Sequence, residues 1–405
     1  MTVCRICGGR VREALDFGRQ PISDAFLTPG HTGEEFFYRL AVGCCASCGL
    51  VQQLDEVPRQ RMFHQDYPYR SSGSTVMRKH FEQVALRLLE TELTGPDPFV
   101  VEVGSNDGVM LRTISEAGVR HVGVDPSGAA AETARTMGVR SRTDFFERGT
   151  ATAVHDQDGP ADVIFSANTI SHIAYLDSVF EGVLALLAPD GVFVFEDRYL
   201  ADIVDNNAFD QIYDEHFYLF SIRSVANLAR RFGLELVDAE HLPVHGGTIR
   251  YTVARQGRRR PTAAVEEFLT AERERGLTHP DTFARFAGAV REIRDDLLTV
   301  LREIRALGKT VVGYGATAKS ATTTNFCGLG PELVPFVCDS TPGKQGKLMP
   351  GSHIPVRPPT AFADPYPDYA LLFAWNHAEE IMAKERAFRE SGGKWILYVP
   401  DVRVG

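Results

Sequence analysis

Apolar positions recur at helical spacing over residues 74–93, where Val76, Phe81, Val84 and Leu88 predict one buried helix face. Phe99-Val100-Val101-Glu102-Val103 follows with the character of a buried strand and runs into Gly104-Ser105-Asn106-Asp107-Gly108. The predicted order is strand, glycine turn, helix. Residues 121–124 read as the next strand, ending in Asp125, and residues 162–168 as a later one. A helix is predicted over 176–187, a Pro189-Asp190-Gly191 turn leads into a strand at 192–195, and a helix near 224–232 precedes strands at 234–240 and 247–254. Strands alternating with helices predict a doubly wound α/β sheet.

A second unit of the same kind lies further on. Phe283, Phe286, Val290, Ile293, Leu297, Leu301 and Ile304 recur at spacings of three and four and predict a long helix. Thr310-Val311-Val312-Gly313-Tyr314-Gly315-Ala316-Thr317-Ala318-Lys319 is again strand and glycine turn, with partner strands at 334–338, ending in Asp339, and at 369–373. Arg258-Arg259-Arg260-Pro261 reads as a solvated linker between the two units.

The length of 405 residues suits two or three domains. Hydrophobic residues at 44% and charged residues at 24% are ordinary for a globular protein. The net charge of −10 argues against a general nucleic-acid or anionic-membrane binder, so any basic pocket is local. No apolar run reaches the roughly 18 residues of a membrane span. The N-terminus lacks the pattern of a secretory signal, and the seven cysteines do not look like a disulfide framework. A reducing cytoplasm is the expected setting.

Cys4-Arg-Ile-Cys7 and Cys45-Ala-Ser-Cys48 form two C-x-x-C knuckles, each followed by glycine. Four thiolates in this arrangement suit one tetrahedral, structural zinc ion. Cys44 offers an alternative ligand but lacks the two-residue spacing. Zinc supplies on the order of 10 kcal/mol to a module otherwise short of core.

The first glycine turn has the form E-x-G-x-x-x-G. With an acid before it, and with two final strands like the reversed edge of class I methyltransferases, it favours S-adenosylmethionine over a dinucleotide. The expected cofactor contacts are Glu102, Gly104, Asn106, Asp107, Gly108, Asp125, Pro126 and Asn168. Asp125, at the end of its strand, suits ribose hydroxyls. After the fifth strand the chain inserts Glu196-Asp197-Arg198-Tyr199 and then Phe209-Asp210-Gln211-Ile212-Tyr213-Asp214-Glu215-His216-Phe217-Tyr218. His216 is suited to proton transfer near neutral pH. Glu215 binds substrate or tunes the histidine, and His172, just past strand four, is expected in the same cleft.

The two knuckles, E-V-G-S-N-D-G, Y-D-E-H-F, L-P-V-H-G-G-T-I-R-Y and G-Y-G-A-T-A-K-S occur in this order along essentially the whole chain. Together they resemble the zinc-containing, S-adenosylmethionine-dependent sugar C-methyltransferases of antibiotic deoxysugar biosynthesis, which act at C-3 of TDP-linked 4-keto-deoxyhexoses. The resemblance implies a zinc-binding module (1–72), a class I methyltransferase domain (73–256) and a second Rossmann-like, substrate-binding domain (257–405). It implies His216 as base, with Tyr213, Glu215 and His172 beside it and Tyr67 reaching in from the first module. It further implies that the last domain helps to hold the TDP-sugar. Lys319 at a helix start suits phosphate, and Asn376, His245 and Gly246 are expected at the substrate. Substrates with a 3-amino or a 3-hydroxy group both remain open, as do the stereochemical outcome and the oligomeric state.

The rival reading is a nicotinamide-dependent nucleotide-sugar oxidoreductase or epimerase built on residues 310–339. The fingerprint there is partial, with alanine at the third glycine position, and no Y-x-x-x-K pair stands beside it. A non-catalytic zinc-stabilised binding protein is a third reading. A zinc-finger DNA binder is disfavoured by the charge and by the lack of a basic recognition helix.

Overall fold

A computed structural model of the chain describes residues 2–30, 33, 35–62, 70–363 and 365–405. The first module is a small antiparallel sheet of β1 (Val11–Pro21), β2 (Phe37–Cys45) and β3 (Val51–Gln53). Both cysteine knuckles sit at one end of it.

A helix over Thr75–Thr91 leads into the middle domain, with Ser74 capping it through Met77 N. Its buried face is Met77, Phe81, Val84 and Leu88, while Val76 is 46% exposed. The predicted face is thus rotated by one residue at its start.

The strands that follow are β4 (Phe99–Val103), β5 (Arg120–Val124), β6 (Ser141–Arg142), β7 (Ala161–Ala167), β8 (Leu187–Arg198), β9 (Tyr218–Leu219), β10 (Leu234–Leu242) and β11 (Thr248–Arg255). Seven of them form one sheet in the order β6-β5-β4-β7-β8-β11-β10. All are parallel except β11, which runs antiparallel to both neighbours. This reversed edge is the one expected of class I methyltransferases. Pro189-Asp190-Gly191 does make a turn, within a strand whose span begins at Leu187: Leu187 pairs with Ala161 and Val192 with Val163, so residues 188–191 loop out of the ladder. Gly191 permits this, since a Cβ there would come within 2.8 Å of the Ala161 carbonyl on β7.

β9 leaves this sheet and pairs with β3 of the first module. The residues just before it are Tyr213–His216, so the segment richest in candidate chemistry is bracketed by two domains.

The helix Pro280–Ala306 buries every position of the predicted stripe from Phe283 to Ile304, with proline in its first turn. A third sheet follows: β12 (Val311–Tyr314), β13 (Val337–Cys338), β14 (Val356–Arg357), β15 (Tyr369–Leu372), β16 (Lys394–Leu397) and β17 (Arg403–Val404). Its order is β14-β13-β12-β15-β16-β17, parallel except for the last strand. The arginine run before these helices is partly tied down rather than simply solvated. Arg259 pairs with Glu92 at 2.8 Å and Arg258 reaches Asp190 at 3.7 Å. No helix among the described residues is long and apolar enough to cross a membrane.

Candidate active site

A cleft of about 790 Å³ runs between the carboxyl edges of the two parallel sheets. One wall is built from the ends of β4, β5, β7 and β8, and the other from the turns after β12 and β13. Such edges are where open α/β sheets bind ligands, because strand ends splay and helix N-termini face the gap.

At one end lies the first glycine turn. Gly104 has φ 72° and Asn106 φ 47°, both left-handed. A Cβ on Gly104 would fall 2.2 Å from Thr169 Oγ1, and one on Gly108 would meet Ala134. The space beside both glycines is taken by protein side chains. Gly104, Asn106, Asp125, Pro126 and Asn168 line the cleft; Glu102, Asp107 and Gly108 lie beneath its wall. Asp125 accepts from Asn106 N at 2.9 Å and Ser127 N at 2.8 Å, which fixes its carboxylate toward the cleft. Glu102 Oε2 and Asp107 Oδ1 are buried without hydrogen-bond partners. Burial, then the negative charges of Asp125 and Asp107, push the Glu102 carboxyl well above its usual range. An aspartate held at the strand end beside a glycine turn fits the hydroxyl-bearing ribose of S-adenosylmethionine.

Four candidate catalytic residues are brought together. The ring centroid of His216 is 4.0 Å from that of Tyr213 and 5.0 Å from that of His172. His216 is 1% exposed and sits just behind the wall, which His172, Tyr213 and Glu215 line. Its Nδ1 donates to the Gln211 carbonyl, and its Nε2 has no partner among the described residues. Because a carbonyl only accepts, the proton sits on Nδ1 and Nε2 carries a lone pair. Burial, then Arg198, then His172 hold the His216 pKa well below its usual value. His172 is pushed down to about 3 by burial and Arg198. Tyr67 lies outside the described residues.

At the far end Lys319 is 7% exposed. Its Nζ donates to Asn376 Oδ1 at 2.7 Å, stands 4.0 Å over the Trp375 ring and lies 3.9 Å from Asp210 Oδ2. Burial brings its pKa down to about 8, with Asp210 opposing and Arg198 adding to the drop. Lys319, Asn376 and His245 line the cleft; Gly246 does not. A Cβ on Gly246 would come 2.8 Å from the Trp375 ring, so this glycine admits a tryptophan and not a ligand.

Sequence reasoning missed two residues of this site. Arg198, at the carboxyl end of β8, lines the cleft and has a buried Nε without a partner. The rule that strand ends carry function would have found it. Lys344 also faces the cleft, bonded to Asp24 at 3.1 Å and to the Ala316 carbonyl at 2.9 Å, and lacked any motif signal.

None of the four candidate metal ligands lines the cleft. Cys4, Cys7, Cys45 and Cys48 place their sulfurs within 4.8 Å of one another, with Cys4–Cys48 at 3.4 Å and Cys7–Cys45 at 3.5 Å. Tetrahedral thiolates around zinc stand about 3.8 Å apart, so the set fits a closed structural site. Cys44 is outside it. Its thiol is pushed up to about 12 by burial and makes only long contacts to backbone carbonyls.

Residues 4–63 match a family described as a zinc binding domain, residues 77–239 a methyltransferase domain, and residues 243–400 a C-methyltransferase C-terminal domain. The chain is 37% identical over 409 residues to the C-methyltransferase NovU of Streptomyces niveus, covering 99% of this chain and 96% of that protein. Among solved structures it is similar to an S-adenosylmethionine-dependent methyltransferase of Anabaena variabilis (17% identity, TM-score 0.35, 43% of this chain and 84% of that one). It is also similar to the CcbJ methyltransferase of Streptomyces caelestis (16% identity, TM-score 0.34, 43% and 89%). With the full-length relative and all three matched domains in order, the chain belongs to the zinc-containing, S-adenosylmethionine-dependent C-methyltransferases that its motifs resemble.

Proposed function

We propose that this enzyme methylates C-3 of a TDP-linked 4-keto-deoxyhexose by way of an enolate, with His216 as the base. The observation that carries this reading is the state of His216: neutral, proton fixed on Nδ1, and Nε2 without a partner. A hydrogen on carbon beside a ketone is weakly acidic, and its removal leaves charge on O-4.

In this reading the C-3 proton passes to Nε2 of His216, a role typically worth roughly 10²–10⁴ in rate. Glu215, buried beside it, balances the imidazolium that forms. Arg198 brings a fixed positive charge to the developing oxyanion, and Tyr213 and His172 are further donors at O-4. Lys319 and Lys344 supply cations for a diphosphate, and Asn376 and His245 hold the sugar nucleotide near them. Asp125, Asn106 and Asn168 hold S-adenosylmethionine, which supplies a methyl made electrophilic by its sulfonium. The lipophilic and aromatic packing around His216 keeps bulk water from quenching the carbanion. The protein is expected to act in the cytoplasm, where nucleotide sugars are made.

The test is methyl transfer from labelled S-adenosylmethionine to TDP-4-keto-2,6-dideoxyglucose and to its 3-amino analogue, with wild type and His216→Asn. Label at C-3 that is lost in the variant is expected. Transfer that survives in the variant moves the base to His172 or Tyr213. No transfer to either sugar overturns the substrate assignment.

A further inference from the structure

The turn that carries His216 has little structure of its own. Its internal backbone bonds are His216 N to the Tyr213 carbonyl at 3.0 Å and Phe217 N to the Glu215 carbonyl at 3.2 Å. What gathers it is a side chain from the first module. Gln53, 1% exposed, places Nε2 at 2.6 Å from the Tyr213 carbonyl, 2.9 Å from that of His216 and 3.2 Å from that of Asp214. Its backbone N–H donates to the Phe217 carbonyl at 2.9 Å. Three carbonyl oxygens converging on one point repel one another unless a donor sits between them. An amide nitrogen offers two hydrogens; a carboxylate or an apolar group offers none.

The neighbouring residue on β3 faces the other way, as alternation in a strand requires. Gln52, also 1% exposed, accepts from Arg5 N at 3.0 Å and donates to the Val3 carbonyl at 3.2 Å, on either side of Cys4. One short strand therefore grips the cysteine knuckle with one glutamine and the histidine turn with the next.

We propose that Gln53 is a positioning residue for proton abstraction: it fixes the backbone of residues 213–216 and so the direction of His216 Nε2. This rests on the reading of His216 as base. The ring is then held at two ends, by Gln53 at its backbone carbonyl and by Gln211 at Nδ1. A misplacement of about 1 Å at a reacting group costs on the order of 10²-fold in rate.

The test compares Gln53→Met with Gln52→Met, two equally buried glutamines on one strand. Four quantities are read: exchange of the C-3 hydrogen of TDP-4-keto-2,6-dideoxyglucose in deuterated water with S-adenosylhomocysteine present, KM, cofactor Kd and Tm. Gln53→Met is expected to slow exchange by about 10²-fold with KM and cofactor Kd unchanged. Gln52→Met is expected to lower Tm while exchange persists. Exchange at the wild-type rate in Gln53→Met, or an equal loss in both variants, overturns the proposal. If Gln53→Met does not fold, Gln53→Asn decides. It keeps the donor but reaches fewer carbonyls, so an intermediate rate with normal cofactor binding supports the proposal and a wild-type rate overturns it. Absence of exchange in the wild type overturns the base assignment itself, whatever the variants do.

Discussion

Trp375 Nε1 donates to Asp210 Oδ2 at 2.8 Å, and that bond ties the C-terminal sheet to the insertion that carries His216. Tyr398 donates to the same oxygen at 2.6 Å, and Lys319 stands 3.9 Å away. Asp210, fully buried, is thus the anionic counterweight to the cation proposed for the diphosphate.

Asp210→Asn keeps an acceptor for the indole and the phenol but removes the charge that favours protonated Lys319. The lysine, already down to about 8, drops further. The expected result is a KM for the TDP-sugar that begins to rise at lower pH than in wild type, with kcat less affected. A KM–pH profile from 6.5 to 9 measures it; coincident profiles would remove Lys319 from the anion site.

Arg198 depresses both His172 and His216. Replacing it with glutamine leaves burial in place but removes the cation, so both histidines gain protons more readily. The acid limb of kcat moves to higher pH, and kcat falls by roughly 10²–10³, the usual cost of losing an oxyanion donor. An unshifted limb would mean that the charge does not act on the base.

His172 binds a proton at a pKa of about 3 when folded and near 6.5 when unfolded. Below pH 6.5 the unfolded chain takes up a proton that the native site refuses, so stability falls with pH until about 3. Urea unfolding between pH 6.5 and 5 is expected to show a shallower slope in His172→Gln, by an amount that grows toward about 1.4 kcal/mol per pH unit as the pH falls to 5. Parallel slopes would place the lability elsewhere.

The thiolate cluster predicts one zinc per chain by metal analysis. Cys48→Ser is expected to lose most bound zinc and to lower Tm, whereas Cys44→Ser retains the metal. Retention by Cys48→Ser would reassign the fourth ligand.

Much of this architecture was legible in the chain because it follows from period and punctuation. The 3.6-residue stripe from Phe283 to Ile304 is buried in full, and the strands before both glycine turns lie close to where apolar runs put them, while the strand expected at 334–338 is reduced to Val337–Cys338. The clustering of the four cysteines followed from spacing alone. What failed depended on partners distant in sequence. Gly246 looks like a ligand-facing glycine, yet Trp375 fills the space beside it and it does not line the cleft. Val76 fits the helical pattern but faces out, because the helix docks on Met77 instead. Gln53 carries no local signal, since its surroundings are set by a sheet shared between domains, whereas Arg198 stands at a strand end and was open to that rule.

That shared sheet sets rules for recombining these enzymes. Among the described residues β9 pairs with β3, Tyr218 against Gln52 and Leu219 against Val51. A chimera that swaps residues 1–72 between relatives would pair a foreign strand with the native histidine turn, leaving two backbone edges to find a register for which neither was selected. Transplants that carry the segment from 209 to 221 along with the first module keep that seam intact; those that do not trade substrate scope for a loosened base.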